Sequence, residues 1–385
     1  MASFDGTAID DVLRGAVARG DVPGAVVTVH DRNGVRFETG HGDLPDGLRT
    51  MFRFASMTKA LTSVAALQLV EAGKIALDAP VASVIPAFGE AQVLVGFDGD
   101  TPRLRPPARA ATIRHLLTHT AGHGYLFTNP DLHRYHRVTG LPTPFDGCIA
   151  SLSAPLIADP GTRWEYGINT DWLGRVVESV SGQGLDVHLA KAVFEPLGMR
   201  DATFTPTAVQ RARLMPIRSR TPQGTLAPSP LDLPGAPEFQ PGGHGAYGTP
   251  ADYGRFVRAL LRGGELDGAR ILRPETTDLM FSDQLGDVPM PTSMPAVMPE
   301  WTNQVPAPPT RQTWGLGLQV SLEDMPGMRP AGTGSWAGIF NSYYWIDRTT
   351  GIAATFFTQV LPFFDVGVVP ALLAVEHAVY AQSVR

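Results

Sequence analysis

RFASMTKALTSVAALQLVEAGKI, Arg53 to Ile75, places Ser56 three residues before Lys59 at the head of a segment that is apolar nearly all round. Leu61, Val64, Ala65, Leu67, Leu69 and Val70 leave no polar face, and Gly73 follows as a stop, so the pattern predicts a buried, central helix. Arginine supplies most of the positive charge, and the lysines are Lys59, Lys74 and Lys191. A serine hydroxyl is a weak nucleophile that needs a base free of its proton near neutral pH. Arginine cannot be that base, whereas a buried lysine can. Helix positions i and i+3 share a face with Cβ atoms about 5–6 Å apart, so Ser56 and Lys59 can meet. With lysine so scarce, the chance expectation of one S-x-x-K falls to roughly 0.2. The tetrapeptide alone leaves a second reading open, a capping serine beside a snorkelling lysine.

Outward from this helix, Ile9 to Arg19 reads as an N-terminal helix, and GAVVTVHDRNGVRFETGHGD, Gly24 to Asp43, as a hairpin turning at Asn33-Gly34. Ala79 to Gln240 reads as helical segments joined by Pro- and Gly-rich loops, among them TIRHLLTHTAG, TDWLGRVVESVSG and DVHLAKAVFEPLGM. Thr249 as N-cap and Pro250 at N1 open another helix. The Pro- and Met-rich stretch Ser282 to Gln312 reads as a long surface loop. A second hairpin turns around Asp347 to Gly351, and a helix from Val366 to Ala381 follows. The pattern is α+β: an antiparallel sheet flanked by helices, built from residues 1–82 and 240–385, with a mainly helical lobe over 83–239 inserted and the site in the cleft between them.

Composition removes several function classes. At 385 residues the chain can fill two lobes. A net charge of −6 and no Arg-aromatic clusters give no footprint for nucleic acid. The first residues lack a basic and apolar leader and no run of about 18 apolar residues exists, so the expected location is the cytoplasm, with no membrane contact. The lone Cys148 suits a reducing compartment and reads as structural. His115, His119 and His123 would share a face on one continuous helix, but Ala121-Gly122 breaks it and no acidic partner is near, so no metal is expected. No G-x-S-x-G elbow is present.

Two further stretches carry chemistry. PGTRWEYGINTDWLG sets Tyr166 before a helix that Asn169 or Thr170 could cap, and a cleft tyrosine beside an ammonium can carry a proton. GTGSWAGIFNSYYW places small residues on a strand, where a backbone N–H can approach a ligand as an oxyanion hole requires.

FASMTKALTS, LLTHTAG, PGTRWEYG, EPLGM and GGHGAYGTPADYGRF follow one another in an order and spacing that resemble the serine β-lactamase and penicillin-binding-protein superfamily. Class C β-lactamases and family VIII carboxylesterases are the most similar groups, and the resemblance covers nearly the whole chain. It implies a β-lactamase/transpeptidase-like fold with Ser56 acylated, Lys59 and Tyr166 handling the proton, and the N–H groups of Ser56 and Ile339 as the oxyanion hole. Trp336, Ala337, Gly338 and Tyr125 would bind substrate, and no cofactor is implied. Two departures matter. Trp336-Ala337-Gly338 stands where lactamases carry Lys-Thr-Gly, removing the cation that holds an antibiotic carboxylate. Tyr166-Gly167-Ile168 replaces Tyr-x-Asn, with Asn169 one place late. Family VIII esterases resemble the chain on both counts. The implied activity is cleavage of short-chain carboxylic esters, or transfer of their acyl group to an alcohol or amine. A β-lactamase or D-amino-acid peptidase is the alternative. The implied partner is a small ester.

Overall fold

Asn33-Gly34 closes its hairpin because the Asp31 carboxylate accepts hydrogen bonds from both turn N–H groups, at 2.7 and 2.8 Å. The computed structural model describes residues 4–231 and 236–382. In chain order, the elements that position the site are α1 (Thr7–Ala18), β1 (Gly24–Asp31), β2 (Val35–Gly42), α2 (Thr58–Glu71), α3 (Ile113–Leu117), α4 (Asn169–Ser181) and α5 (Pro250–Leu261). They continue with β3 (Gln312–Trp314), β4 (Gln319–Ser321), β5 (Gly334–Gly338), β6 (Ser342–Asp347), β7 (Ile352–Phe357) and α6 (Val368–Ala381).

The seven strands form one antiparallel sheet in the order β3-β4-β5-β6-β7-β1-β2. Strand β1 lies between β2 and β7, with Val26 opposite Phe357 and Thr28 opposite Thr355. Its side chains alternate as the pleat requires. Ala25, Val27 and Val29 pack with Ile9 and Leu13 of α1 and with Val375 and Val379 of α6. Val26 points to the opposite face and joins the larger core shared by α2 and α5.

On that second face His30 packs under α5 at Gly254, where a Cβ would fall 2.5 Å from the imidazole. The ring is buried and its Nε2 lies 2.8 Å from the Thr28 hydroxyl, so it has nowhere to move. Alanine ordinarily gains about 1 kcal/mol over glycine inside a helix. Here the overlap costs more, and Gly254→Ala is expected to lower stability by about 1–2 kcal/mol net, read from the urea midpoint. A variant more stable than the parent would show that His30 yields.

Several boundaries differ from the sequence reading for local reasons. Helix α6 begins at Val368 rather than Val366 because the buried Asp365 carboxylate accepts from the N–H groups of Gly367 and Val368. The Ala79–Gln240 region also holds strand pairs, Val93–Asp98 with Thr101–Arg105 and Arg218–Arg220 with Leu226–Pro228. An Asp-Gly-Asp turn at 98–100 signalled the first pair.

The Ser282–Gln312 stretch is no free surface loop. Val288, Met290, Met294, Met298 and Trp301 pack against the main core, and the N–H of Val297 donates to the Phe127 carbonyl at 3.0 Å. Its methionines and tryptophan are partly buried apolar surface that a solvated loop would have exposed. Among the described residues no helix is long and apolar enough to cross a membrane.

Candidate active site

Residues Ala55–Met57 form a single 3-10 turn that feeds directly into α2, so the helix proper starts at Thr58 rather than at Ser56. Ala55, just before the serine, is held at φ +46°, a left-handed conformation that costs an alanine of order 1–3 kcal/mol. The surroundings impose it. The N–H of Phe54 donates to the Ala246 carbonyl at 2.9 Å, the Thr58 hydroxyl accepts from the Ala246 N–H at 3.1 Å, and the Tyr253 hydroxyl of α5 donates to the Met57 carbonyl at 3.0 Å.

Lys59 is 1% exposed and donates three hydrogen bonds, to Ser56 Oγ at 3.2 Å, to the Tyr125 hydroxyl at 3.1 Å and to the Gly243 carbonyl at 2.9 Å. The three contacts fix the Lys59 nitrogen beside the serine oxygen. The serine–lysine pair foreseen from the i, i+3 spacing is therefore in direct contact.

Tyr166 approaches differently. Its ring lies under Lys59 Nζ, 4.7 Å from nitrogen to ring centroid, and its hydroxyl accepts from the Trp336 indole N–H at 3.0 Å. Tyr125 stands beside it, ring centroids 5.4 Å apart. Burial pushes the Tyr125 phenol well above its usual range, and the nearby Asp171 carboxylate and Tyr166 push it the same way. Tyr125 thus keeps its proton and serves as a neutral partner to Lys59.

Trp336, Ala337 and Gly338 lie on β5 as expected. Strand β4 pairs with β5 only as far as Ser335, leaving that edge of 336–338 without a strand partner among the described residues. A Cβ on Gly338 would lie 2.7 Å from the Phe54 carbonyl oxygen and 3.4 Å from the Ala55 Cβ. Glycine at 338 is what lets the end of β5 approach the turn carrying Ser56, and Ile339 follows at the strand's end.

Other expectations are corrected. Asn169 and Thr170 do not cap α4; Ile168 occupies the N-cap and makes no side-chain capping bond. The Asn169 amide instead donates to His119 Nδ1 and to the carbonyls of His123 and Glu165, at 3.0 to 3.2 Å. The three histidines separate because α3 stops at Leu117 and His119 turns to φ +56°. His119 is buried among Tyr166, Trp314 and Trp164, and His123 beside Phe88 and Trp172. Among the described residues no group of three or more His, Cys, Asp or Glu is arranged to hold a metal.

Some of the site was not foreseen. Asp171, 1% exposed, accepts from the N–H of Gly243 at 2.9 Å and so aims the Gly243 carbonyl at Lys59. A Cβ on Gly243 would fall 2.6 Å from the Asp171 carboxylate, so the Gly242-Gly243 pair is the signal that marked this approach. Phe127, Phe145 and Trp301 stack in succession beside Tyr125, with Phe145 and Trp301 4.6 Å apart and nearly parallel. These come from three distant segments, and nothing local predicts their meeting.

Ser56 against the buried Lys59, Tyr166 with its ring at the same nitrogen and the glycine-narrowed edge of β5 meet on a sheet-and-helix scaffold. A family model described as Beta-lactamase matches residues 9–377, and the chain belongs to that family. Among individual proteins it is similar to the lovastatin esterase of Penicillium rubens, 33% identical over 378 residues that cover 92% of this chain and 93% of the other. The monacolin J acid methylbutanoyltransferase of Aspergillus terreus is 32% identical over 400 residues, covering 97% and 95%. The unliganded structure of simvastatin synthase from Aspergillus terreus superposes with a TM-score of 0.81 at 30% identity, covering 97% of each chain.

Proposed function

We propose that the protein is a serine carboxylesterase that cleaves short-chain carboxylic esters through an acyl-serine, or passes the acyl group to an alcohol or amine. The observation that carries this reading is the contact of Lys59 Nζ with Ser56 Oγ, 3.2 Å, in a site whose strand edge presents Trp336 instead of a cation. The esterase and acyltransferase names of the relatives support the same chemistry. The site would lie in the cleft between a sheet lobe, 1–82 and 240–385, and a helical lobe, 83–239.

In the forward step Ser56 Oγ bonds to the ester carbonyl carbon while its proton passes to the Lys59–Tyr166 pair, which enters the step carrying one proton fewer than an ammonium beside a phenol. The backbone N–H groups of Ser56 and Ile339 receive the oxyanion, each worth about 3–4 kcal/mol of barrier. The carbon–oxygen bond to the leaving group then breaks, and Tyr166 returns the proton to that oxygen. Water or an acceptor alcohol reverses the sequence on the acyl-serine. Trp336, Ala337, Gly338 and Tyr125 would bind substrate. Ile339, Ile217 and Leu231 pack with Ala55 and Phe340 beside the nucleophile, which supports a short acyl group.

The test is intact-mass spectrometry after mixing with an activated short-chain ester, the added acyl mass being mapped to a residue. Acyl mass on Ser56 is expected. Inertness toward esters together with opening of a chromogenic cephalosporin would move the protein to the β-lactamase alternative. Within this reading Tyr125→Phe removes one of the three acceptors that fix Lys59, so kcat on a nitrophenyl ester is expected to fall about 10-fold with circular dichroism unchanged. An unchanged kcat would show that two acceptors suffice.

A further inference from the structure

We infer that Trp336 is a positioning residue for proton transfer. Its indole N–H holds the Tyr166 oxygen and stabilises the negative charge that builds there as the proton leaves for the departing alcohol. The inference rests on the acyl-serine reading above and goes beyond it, since that reading sets Trp336 only against substrate.

The geometry carries the argument in three steps. First, the indole nitrogen lies 3.0 Å from the Tyr166 hydroxyl oxygen, an ordinary N–H···O hydrogen bond. Second, packing fixes the donor's orientation. The Trp336 ring meets Trp314 edge-on at 4.6 Å and Tyr166 at 5.0 Å, and Trp314 is itself anchored by its indole N–H donating to the Leu117 carbonyl at 3.1 Å. Third, Lys59 Nζ contacts Ser56, Tyr125 and Gly243 and meets Tyr166 at the ring face rather than at the oxygen. Among the described residues the Tyr166 oxygen has Trp336 as its hydrogen-bond donor.

An indole N–H donates but never accepts or releases a proton in water. It can therefore stabilise charge on the Tyr166 oxygen without competing for the proton in transit. It also brings no positive charge that would attract a substrate carboxylate. Trp336 thus separates two tasks that one ammonium at that position would combine, supporting the tyrosine and anchoring an anion. In the step concerned, the carbon–oxygen bond to the leaving group breaks and the Tyr166 proton moves to that oxygen. The Tyr166 oxygen then carries the charge until a proton returns through Lys59, and Trp336 undergoes no chemical change.

The experiment is a double-mutant cycle of Trp336→Phe and Tyr166→Phe, read on an ethyl ester and a nitrophenyl ester of the same acid. Ethoxide leaves only with a proton, whereas nitrophenolate leaves without one. Trp336→Phe is expected to lower kcat about 10-fold more on the ethyl ester than on the nitrophenyl ester, any loss of substrate binding at 336 falling on both esters alike. In the Tyr166→Phe background that difference between the two esters should vanish. Equal losses on the two esters, or a difference between them that persists without the Tyr166 hydroxyl, would overturn the inference. A far-UV circular dichroism spectrum and urea midpoint like the parent's report that the variant is folded. If Trp336→Phe misfolds, benzothienylalanine at 336, which keeps the indole's shape without its N–H, replaces it in the same cycle. If the parent acquires no acyl mass on Ser56, the esterase reading itself fails. If it acylates but the cycle is additive, only the role of Trp336 fails.

Discussion

Alanine at position 56 is expected to reduce ester turnover by about 10⁴-fold or more and to abolish the acyl mass adduct. The size follows from what the substitution removes. With Oγ gone, no atom remains to form the covalent intermediate, and Lys59 and Tyr166 have no proton to relay. What persists is whatever the oxyanion donors and binding accomplish with water as nucleophile, the residual catalysis that serine hydrolases show without their serine. The fold should survive, because Lys59 keeps Tyr125 and Gly243 as acceptors and the turn stays pinned through Phe54, Met57 and Thr58. The measurement is kcat/KM on a nitrophenyl ester beside the intact mass. Activity within 100-fold of the parent would place the nucleophile elsewhere.

Acid should unfold the protein at a mildly low pH. Burial holds His30 down to about 3, with Arg258 pushing the same way, and burial alone holds His123 down to about 3. His119 is driven well below the ordinary histidine range, first by burial and then by the Lys59 ammonium. The ordinary value is 6.5, so between about 6.5 and 3 the unfolded chain binds protons that the native state refuses, and stability falls as pH falls. Each such histidine contributes about 1.4 kcal/mol per pH unit, and the three together about 4. Neither ring nitrogen of His123 has a hydrogen-bond partner among the described residues, so nothing offsets its protonation. Urea midpoints at pH 7.5, 5.5 and 4.5 should drop steeply below about pH 6, and His123→Phe should make the slope shallower. A constant midpoint from pH 7 to 5 would contradict the argument.

What the sequence disclosed and what it concealed differ by the range of the interactions. The Asn33-Gly34 hairpin, the buried α2 helix and the Thr249 capping box at α5 are local, and the residues that form them stand beside one another. The contact of Ser56 with Lys59 is local too, fixed by one turn of chain. Tyr166 and Trp336 were picked out one at a time, by residue type and by the order of surrounding motifs. Their hydrogen bond, across 170 positions, was not visible in either segment. The same holds for Asp171 aiming Gly243, and for Phe145 and Trp301 stacking from separate loops. Asn169 was misassigned for a different reason. Asparagine before a helix fits a cap equally well whether it bonds its own backbone or a neighbouring turn, and here the buried His119 turn claims the amide.

Strand β1 is completed on one side by β7, and the hydroxyls of Thr28 and Thr355, 327 positions apart, meet at 2.7 Å in that pairing. On a ribosome the N-terminal hairpin therefore emerges long before the strand that flanks it. At about 5–20 residues per second the wait is about 15–65 s. Through that interval a run of valines carries an open backbone edge, the kind of surface that recruits other chains. Expression yield, rather than the stability of the finished molecule, is where this topology exerts its pressure, and slower synthesis or scarce holdase chaperones would show it first as inclusion bodies.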